Sequence, residues 1–350
     1  MAYTDIDKPS DYFNTVLYTG NASTQSITGV GFSPDFIWGK NRSSVTHHAL
    51  VDTVRGNTKY VKSSTNAAEA TITNMVTAFG SDGFSLGADS DMNGSSANQV
   101  AWNWKAGTSF TNDASATGIG SIDSTGSVNT DAGFSIISYT GNGSAGATIG
   151  HGLGVTPKMF IVKSRSLAQD FTVYNEYIGN TNGLFLNNTD ASTGDSSYFN
   201  NTSPTSSVFT VGTNARGNTN GATYIAYCFN DVQGYSKFGS YTGNGNADGP
   251  FCFTGFKPAF VLTKTASAAY HWSINDNKRN TFNPNDKRLY PSTNGVEATA
   301  DAYDIDFLSN GFKIRSSSVS FNASGDNVIY MAFAENPFVT GASAIPTTAR

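Results

Sequence analysis

The residue pattern best suited to bind a ligand in this chain is an acidic loop in its first third. Asp89, Asp91 and Asn93 place oxygen donors at alternate positions, and Gly94 follows where a calcium loop makes its sharp turn. The pattern is incomplete, because Val100 occupies the twelfth position, where such loops carry a bidentate glutamate. The same residues are typical of an ordinary turn. The sequence therefore leaves two interpretations, a turn by default and a calcium site as the alternative, and we expect no other cofactor.

The histidines and cysteines lack the arrangements that catalysis or zinc binding requires. His47 and His271 stand at matching positions, seven residues after a lysine, which favours a structural use. The sequence contains no Gly-x-Ser-x-Gly elbow, no His-Glu-x-x-His motif and no Cys/His cluster at zinc spacing. Cys228 and Cys252 are expected as buried free thiols, because two cysteines do not make a disulfide framework. We therefore expect a protein that is not an enzyme.

Three copies of one motif define the architecture that must position these residues. The tetrapeptide Tyr-Thr-Gly-Asn begins at Tyr18, Tyr139 and Tyr241. Each copy is followed by a proline, an apolar run and a lysine at one fixed Pro-to-Lys spacing, ending at Lys40, Lys163 and Lys264. Internal repeats of this kind indicate that one supersecondary unit is used several times.

Each repeat has the pattern of short β-strands joined by turns. Apolar residues alternate before Asp52, Asn175 and Asp276, which stand twelve residues after the repeated lysines and are expected to end strands as turn residues. Glu69 and Glu297 recur fifteen residues before a Gly-Phe pair in the first and third repeats, but the middle repeat lacks this glutamate. We predict an all-β protein of three tandem β-sandwich modules, jelly-roll or lectin-like.

The composition places the module boundaries in Gly/Ser/Thr/Asn-rich stretches. The predicted units are an N-terminal arm at 1–12, module 1 at 13–107, a linker at 108–131, module 2 at 132–231, module 3 at 235–338 and a C-terminal tail at 339–350. Because only a few residues join modules 2 and 3, we expect these two to form a rigid pair and module 1 to be freer.

Charge and hydropathy exclude several classes of partner. A net charge of −5 and a pI near 5.3 give no basic surface for nucleic acid. No apolar run of about 18 residues is present, so we expect no membrane span. The N-terminal residues have neither a basic nor an apolar segment, so we expect no signal peptide and synthesis in the cytoplasm.

The tryptophans have two interpretations. Trp102 and Trp104 point to one face of a predicted strand, and the aligned pairs Tyr227/Phe229 and Phe333/Glu335 are mostly aromatic. Recurrence at matching positions favours a shared core. Exposed aromatics flanked by Asn and Asp would instead form a platform for sugars.

Several longer motifs carry a resemblance to a known family. They are 8–13 leading into the first Tyr-Thr-Gly-Asn, 152–163, 238–245 and 331–337. These motifs, and the chain over nearly its whole length, are similar to a family of tailed-phage virion structural proteins found among marine phages, often labelled tail, fibre or structural protein. The resemblance implies a location on the virion exterior, as a capsid decoration or a tail- or fibre-associated appendage. It brings no catalytic residues with it.

The resemblance implies other virion proteins of the capsid or tail as partners, and a homo-oligomer, of which a trimer is one form. The predicted anchor to the virion is the N-terminal arm, with the apolar residues Tyr3, Ile6, Pro9, Tyr12 and Phe13. The alternative for the arm is that it covers its own first module.

Two other functions stay open at this point. One is a receptor-binding adhesin that recognises host surface glycan through an exposed aromatic cluster. The other is a polysaccharide depolymerase, which requires two carboxylates roughly 5 to 9.5 Å apart in a cleft. No pair among the 26 acidic residues stands out for that task.

Overall fold

The computed structural model describes residues 4–299 and 304–340 and shows a protein made almost entirely of strands. Strands hold 43% of the residues and helices 6%, so the predicted all-β fold of sandwich type is confirmed. The described helices are single turns, namely a 3-10 turn at Pro9–Asp11 and α1 (Ser90–Asn93), α2 (Ala114–Thr117), α3 (Ser196–Phe199) and α4 (Val319–Asn322). No helix in these ranges is long and apolar enough to cross a membrane.

Module 1 is a two-layer β-sandwich whose first and last strands pair with each other. Its strands are β1 (Phe13–Thr19), β2 (Gln25–Thr28), β3 (Phe36–Asn41), β4 (Ala49–Asp52), β5 (Lys59–Lys62), β6 (Ala70–Thr71), β7 (Val76–Gly80), β8 (Gly83–Leu86) and β9 (Asn98–Trp104). The large sheet has the order β1-β9-β3-β4-β5-β6, and the small sheet has the order β2-β8-β7. The first and last strands of the module are therefore neighbours, paired antiparallel along their full length.

Module 2 repeats this plan and gains two strands. They are β10 (Thr108–Asn112) and β11 (Ser124–Asn129), followed by β12 (Phe134–Thr140), β13 (Ala147–Gly150), β14 (Met159–Ser164), β15 (Thr172–Asn175), β16 (Asn182–Phe185), β17 (Thr193–Gly194), β18 (Val208–Val211) and β19 (Thr223–Phe229). The large sheet has the order β10-β11-β12-β19-β14-β15-β16-β17. The segment 108–131, predicted to be a linker, thus extends this sheet, with β11 paired to β12 over six residues. Its Ser/Thr/Gly-rich composition gave too weak an apolar alternation to be recognised as strands.

Module 3 has the same order of strands. They are β20 (Ser236–Thr242), β21 (Phe251–Phe253), β22 (Phe256–Thr265), β23 (Ser273–Asp276), β24 (Lys287–Arg288), β25 (Ala298–Thr299), β26 (Ile305–Leu308), β27 (Gly311–Ile314) and β28 (Asn327–Pro337). The large sheet has the order β20-β28-β22-β23, and the small sheet has the order β21-β27-β26.

The three large sheets turn their inner faces toward one another and share a central core. Phe36 of module 1 stacks on Tyr227 of module 2, with ring centroids 4.5 Å apart. Phe229 of module 2 lies 5.9 Å from Phe238 of module 3, and Phe260 of module 3 lies 5.8 Å from Trp104 of module 1. Each module thus contacts both others, and the modules form a closed ring with an approximate threefold arrangement.

Each large sheet is buried on both faces, because its other face packs on the small sheet of the same module. In module 1, Ile37 and Ala101 belong to this second, intramodular core, whereas Trp38 and Trp102 belong to the central one. The expectation that module 1 is the freer unit therefore does not hold. A module removed from the ring would expose its aromatic inner face.

The pairing of β22 with β28 also corrects one alignment. Phe260 is opposite Phe333 and Leu262 is opposite Met331, as Phe36 is opposite Trp104 in module 1. The residues of module 3 equivalent to Trp102 and Trp104 are therefore Met331 and Phe333, not Phe333 and Glu335. A bulge near Pro258 accompanies the longer strands of this module.

Candidate functional site

The repeated tyrosine of Tyr-Thr-Gly-Asn fastens the start of each module to the turn before its last strand. The Tyr18 hydroxyl donates to the Met92 carbonyl at 2.8 Å. The equivalent bonds run from Tyr139 to the Gly217 carbonyl at 2.8 Å and from Tyr241 to the Phe321 carbonyl at 2.7 Å. Burial raises the pKa of Tyr18 and of Tyr241, so these hydroxyls stay protonated donors.

The asparagine and glycine of the motif complete this connection. The Asn21 amide N–H donates to Asn93 Oδ1 at 2.9 Å, and Asn93 Nδ2 donates to the carbonyls of Ser23 and Gly87. Asn218 and Asn322 make the same bonds in the other modules. Gly20 has no room for a Cβ, which would collide with the Gly94 carbonyl. The motif is therefore structural in all three modules.

The acidic loop with Asp89, Asp91 and Asn93, for which a calcium site was the alternative, makes structural bonds of the same kind. Asn93 is fully buried and occupied by the bonds just described, and Asp89 caps α1 by accepting the Asp91 N–H at 2.9 Å. Burial, and then the charge of Asp91, raise the pKa of Asp89. In the described residues no group of three or more His, Cys, Asp or Glu side chains is placed to hold a metal ion. The signal for Asn93 was its recurrence five residues before the last strand of every module.

Buried ion pairs lie where module 1 meets its neighbours. Asp52 Oδ2 accepts from Arg55 Nε at 2.6 Å and from the Tyr227 hydroxyl of module 2 at 2.8 Å. Glu69 of module 1 receives both Nε and Nη2 of Arg165 from module 2, at 2.9 and 3.0 Å. Because charge-assisted, bidentate bonds are strong and directional, this cluster fixes the two modules against each other.

The junction of module 3 with module 1 repeats the cluster. Asp276 accepts from Arg279 and from Trp102 Nε1 of module 1, the latter at 3.0 Å. Glu297 receives Arg42 of module 1 at 2.9 and 2.7 Å and Arg279 Nη1 at 3.1 Å. Burial raises the pKa of Glu297, but the bonds and charges of Arg42 and Arg279 outweigh burial and leave that pKa lowered. Asp52 and Asp276 thus end β4 and β23 at a turn, as predicted, and are at the same time ion-pair residues of the core.

At the junction of modules 2 and 3, uncharged residues replace every charged residue of the cluster. The equivalent positions carry Asn175, Ile178, Ser192, Ala266 and Met331. The backbone bond remains, from the Ser192 N–H to the Ala266 carbonyl at 2.7 Å, as from Glu69 to Arg165 and from Glu297 to Arg42. The loss of the glutamate in the middle repeat is thus matched by loss of its arginine.

The three repeated lysines are buried, and two of them bond across a module junction. Lys163 Nζ donates to the Gln169 carbonyl at 2.6 Å and, across the junction, to the Asn66 carbonyl of module 1 at 3.0 Å. Lys264 donates likewise to Tyr270 and to Thr189 of module 2. Burial lowers the pKa of Lys40, Lys163 and Lys264 to about 8 each, because no carboxylate bonds their ammonium groups to offset the cost of burial.

The N-terminal arm lies on its own chain. Ile6 and Phe13 are 4% and 2% exposed and belong to the central core, and Pro9 is buried. Tyr12 packs edge-on against Tyr235, 5.9 Å away, at the joint of modules 2 and 3. Tyr3 lies outside the described residues. The described arm residues predicted as a virion anchor therefore pack on their own chain, in the central core and at the joint of modules 2 and 3, and not on the first module alone.

The aromatic and thiol side chains are likewise internal. All four tryptophans are at most 1% exposed, which confirms the shared-core interpretation. Trp38 Nε1 donates to His48 Nδ1 at 3.0 Å inside this core. Cys228 and Cys252 are free, and burial raises the pKa of each thiol to about 12.

Module 3 differs from its sisters at the edge of its small sheet. Phe251 and Phe253 of β21 are 46% and 58% exposed on one face, while Cys252 between them points into the core. The equivalent residues of module 1 are the polar Ser26 and Thr28. The signal in the sequence was two phenylalanines that depart from the repeat.

In module 2 the equivalent edge strand, β13, is covered by a segment of the same chain. The N–H groups of Ser121 and Ile122 donate to the Thr148 carbonyl at 2.8 and 3.1 Å, and Ile122 bridges Ile149 in parallel. Ser124 Oγ donates to the Gly150 carbonyl at 2.8 Å. This edge therefore accepts an added strand, and module 3 presents the same edge with exposed phenylalanines.

The fold and these contacts define a ring of three β-sandwich modules built from one chain. The chain belongs to the family described as Domain of unknown function (DUF7483), which it matches over residues 8–337. That range spans the three modules from the arm to the last strand. Searches of curated proteins and of solved structures found no match.

Proposed function

We propose that this protein is a non-enzymatic structural component on the exterior of a tailed-phage virion, as a capsid decoration or a tail- or fibre-associated appendage. The resemblance of its repeat motifs to phage virion proteins supports this proposal. The use of those motifs supports it further, because the recurring Tyr, Asn, Lys, Asp and Arg side chains hold loops and modules together. Repeated polar residues that bond loops and modules to one another make the chain rigid, and a rigid chain suits a mechanical role.

The observation that carries the proposal is the exposed pair Phe251 and Phe253 on the edge strand β21. Exposed aromatic pairs beside an open strand edge are typical of surfaces that add a strand from a partner. Segment 118–124 provides the precedent, because it occupies the matching edge of module 2. We propose that β21 receives a strand of another virion protein, in place of the anchor first assigned to the N-terminal arm.

The attachment is tested by returning recombinant protein to particles that lack it. Phe251→Ser with Phe253→Thr installs the residues of module 1 at this edge and keeps the buried Cys252. We expect wild-type protein to cosediment with the particles and the double variant to stay in solution. Phe282→Ser, which removes a phenylalanine that is 76% exposed in the same module, is the control and should bind as wild type does. Equal cosedimentation of the double variant would remove β21 as the attachment edge.

The location is tested by cryo-electron microscopy of purified particles. Density over the capsid lattice is the result expected for a decoration, and density along the tail or fibre is the result expected for an appendage. Density at the tail tip would favour the receptor-binding adhesin. Absence of the protein from purified particles would overturn the virion proposal.

A further inference from the structure

Module 3 has an aromatic pocket where modules 1 and 2 carry charged side chains. A cavity of about 180 Å³ lies between the loop after β22, the end of β24 and helix α4. Its lining includes Tyr270, His271 and Tyr290, and Ser273, Ser318, Val319 and Ser320 line it as well. The hydroxyls of Ser318 and Ser320 lie 2.9 Å apart and bond each other. Pockets with aromatic walls and a few polar groups are those that bind small ligands.

Alignment of the modules shows why the pocket is open. The residue of module 2 equivalent to Ser320 is Arg216, two positions before the repeated asparagine. The Arg216 guanidinium lies 4.8 Å from the ring centre of Phe185, the counterpart of Tyr290, and bonds Asp170, the counterpart of His271. The arginine fills in module 2 the space that Ser320 leaves empty in module 3.

Module 1 also carries charges at these positions. Its equivalents of His271, Tyr290 and Ser320 are His47, Lys62 and Asp91. Burial and the charge of Lys62 lower the pKa of His47, and the charge of Asp91 opposes them. Only the third module thus combines two tyrosines, a histidine and a serine at this place.

The electrostatics of the pocket select against a cationic ligand. Two cations lie close to the pocket, with the Arg288 guanidinium 5.4 Å from the ring centre of Tyr290 and the charge of Lys264 lowering the pKa of His271. Burial, and then the charge of Lys264, lower the pKa of His271, so its imidazole is neutral near pH 7. The imidazole is held by a 2.9 Å bond between Nδ1 and Ser292 Oγ, and its ring centre lies 5.1 Å from that of Tyr290.

We propose that this pocket binds one pyranose residue of a glycan. A pyranose offers an apolar C–H face that matches the rings of Tyr270 and Tyr290, and a rim of hydroxyls that matches the serines and His271. The cavity is smaller than the 300–1,000 Å³ or so that encloses a drug-sized ligand. That size suits a single ring at the end or along the side of a chain. The inference does not depend on the virion location, because purified protein alone carries the pocket.

The test is saturation-transfer-difference NMR on the purified full chain with methyl glycosides of glucose, galactose, mannose, rhamnose and N-acetylglucosamine. We expect transfer to the ring C–H protons of at least one glycoside. Ser320→Arg, which installs the arginine of module 2, should abolish that transfer, and so should Tyr270→Ala. Ser240→Arg makes the same chemical change at an exposed position of β20 and should leave transfer intact.

Thermal unfolding of each variant separates loss of the pocket from loss of the fold, since only variants that melt as wild type does are compared. Absence of transfer to every glycoside would overturn the proposal. So would undiminished transfer to Ser320→Arg. Transfer to Nα-acetyl-arginine methylamide in place of the glycosides would assign the pocket to arginine side chains of a protein partner.

Discussion

At the scale of single residues, the three buried lysines are the most unusual choice in this chain. A buried ammonium group that bonds only uncharged oxygens is not fully compensated for the hydration it loses. Burial accordingly lowers the pKa of Lys40, Lys163 and Lys264 to about 8. Their return in every module, with two of the three bonding a neighbouring module, indicates that they set the geometry of the junctions.

The three lysines contribute a term to the free energy of unfolding that rises with pH. Between about pH 8 and the unfolded lysine pKa of 10.5, the unfolded chain holds protons at these lysines that the folded chain has lost, whereas the buried thiols and tyrosines, whose pKa values are raised, act in the opposite direction. Each lysine should contribute on the order of 3 kcal/mol across this window. Urea unfolding at several pH values measures the Lys163 term as the difference between wild type and Lys163→Met, whose free energy of unfolding should rise less, or fall more, with pH.

The exposed Lys278 provides the matched control for that experiment. The free energy of unfolding of Lys278→Met should follow the same pH curve as wild type, because the ammonium that this substitution removes is solvated. If Lys163→Met and wild type follow the same pH curve, the buried ammonium of Lys163 does not titrate early, and the reasoning fails.

At the scale of elements, the Asp–Arg–Glu clusters hold the large sheet of module 1 to its two neighbours. We predict that Glu297→Gln lowers the free energy of unfolding by about 3 kcal/mol, since it removes a carboxylate from Arg279, whose side chain is fully buried. Glu69→Gln should have a similar effect at the other junction, because Arg55 is equally buried. Chemical denaturation with two probes measures both.

Glu176→Gln is the control for these substitutions. Its carboxylate bonds Lys158 with 45% of its side chain exposed, so the change should cost less than about 1 kcal/mol. A Glu297→Gln variant as stable as the Glu176→Gln control would show that the cluster contributes little to holding the ring together.

The elements themselves were largely predictable from sequence, whereas their assembly was not. Period-2 alternation and the repeat located the strands because local burial produces those patterns. The ring closes because the second face of each large sheet is also buried, in the central core. The only sign of this is that strands such as β14 (Met159–Ser164) are buried at every residue instead of at every other one. The junction clusters left a trace in the joint replacement of Glu and Arg by Ser192 and Ala266. A donor-rich turn and a calcium loop use the same residue types, so the sequence left both interpretations open for Asp89, Asp91 and Asn93.

At the scale of the whole molecule, a shared core means that no module is a separate unit of stability. The tryptophans allow this to be tested, since Trp38, Trp102 and Trp104 lie in module 1, Trp272 lies in module 3, and module 2 has none. Tryptophan fluorescence during unfolding therefore reports mainly module 1, which holds three of the four tryptophans, and the junction of modules 2 and 3 through Trp272, whose Nε1 donates to the Phe185 carbonyl of module 2.

Phe209 in module 2 supplies the perturbation. It is fully buried within the sandwich of its own module, where it packs on Phe160 and Tyr139 with ring centres 4.9 and 6.0 Å away. Phe209→Ala should cost about 3–5 kcal/mol. We predict that it lowers the fluorescence midpoint of urea unfolding, because modules 1 and 3 cannot keep their inner faces covered once module 2 unfolds. Ile119→Ala, at a residue that is 40% exposed, should leave the midpoint unchanged. Independent modules would instead leave the main fluorescence transition, to which module 1 contributes three of the four tryptophans, at the wild-type midpoint, while circular dichroism shows a separate early loss of strand.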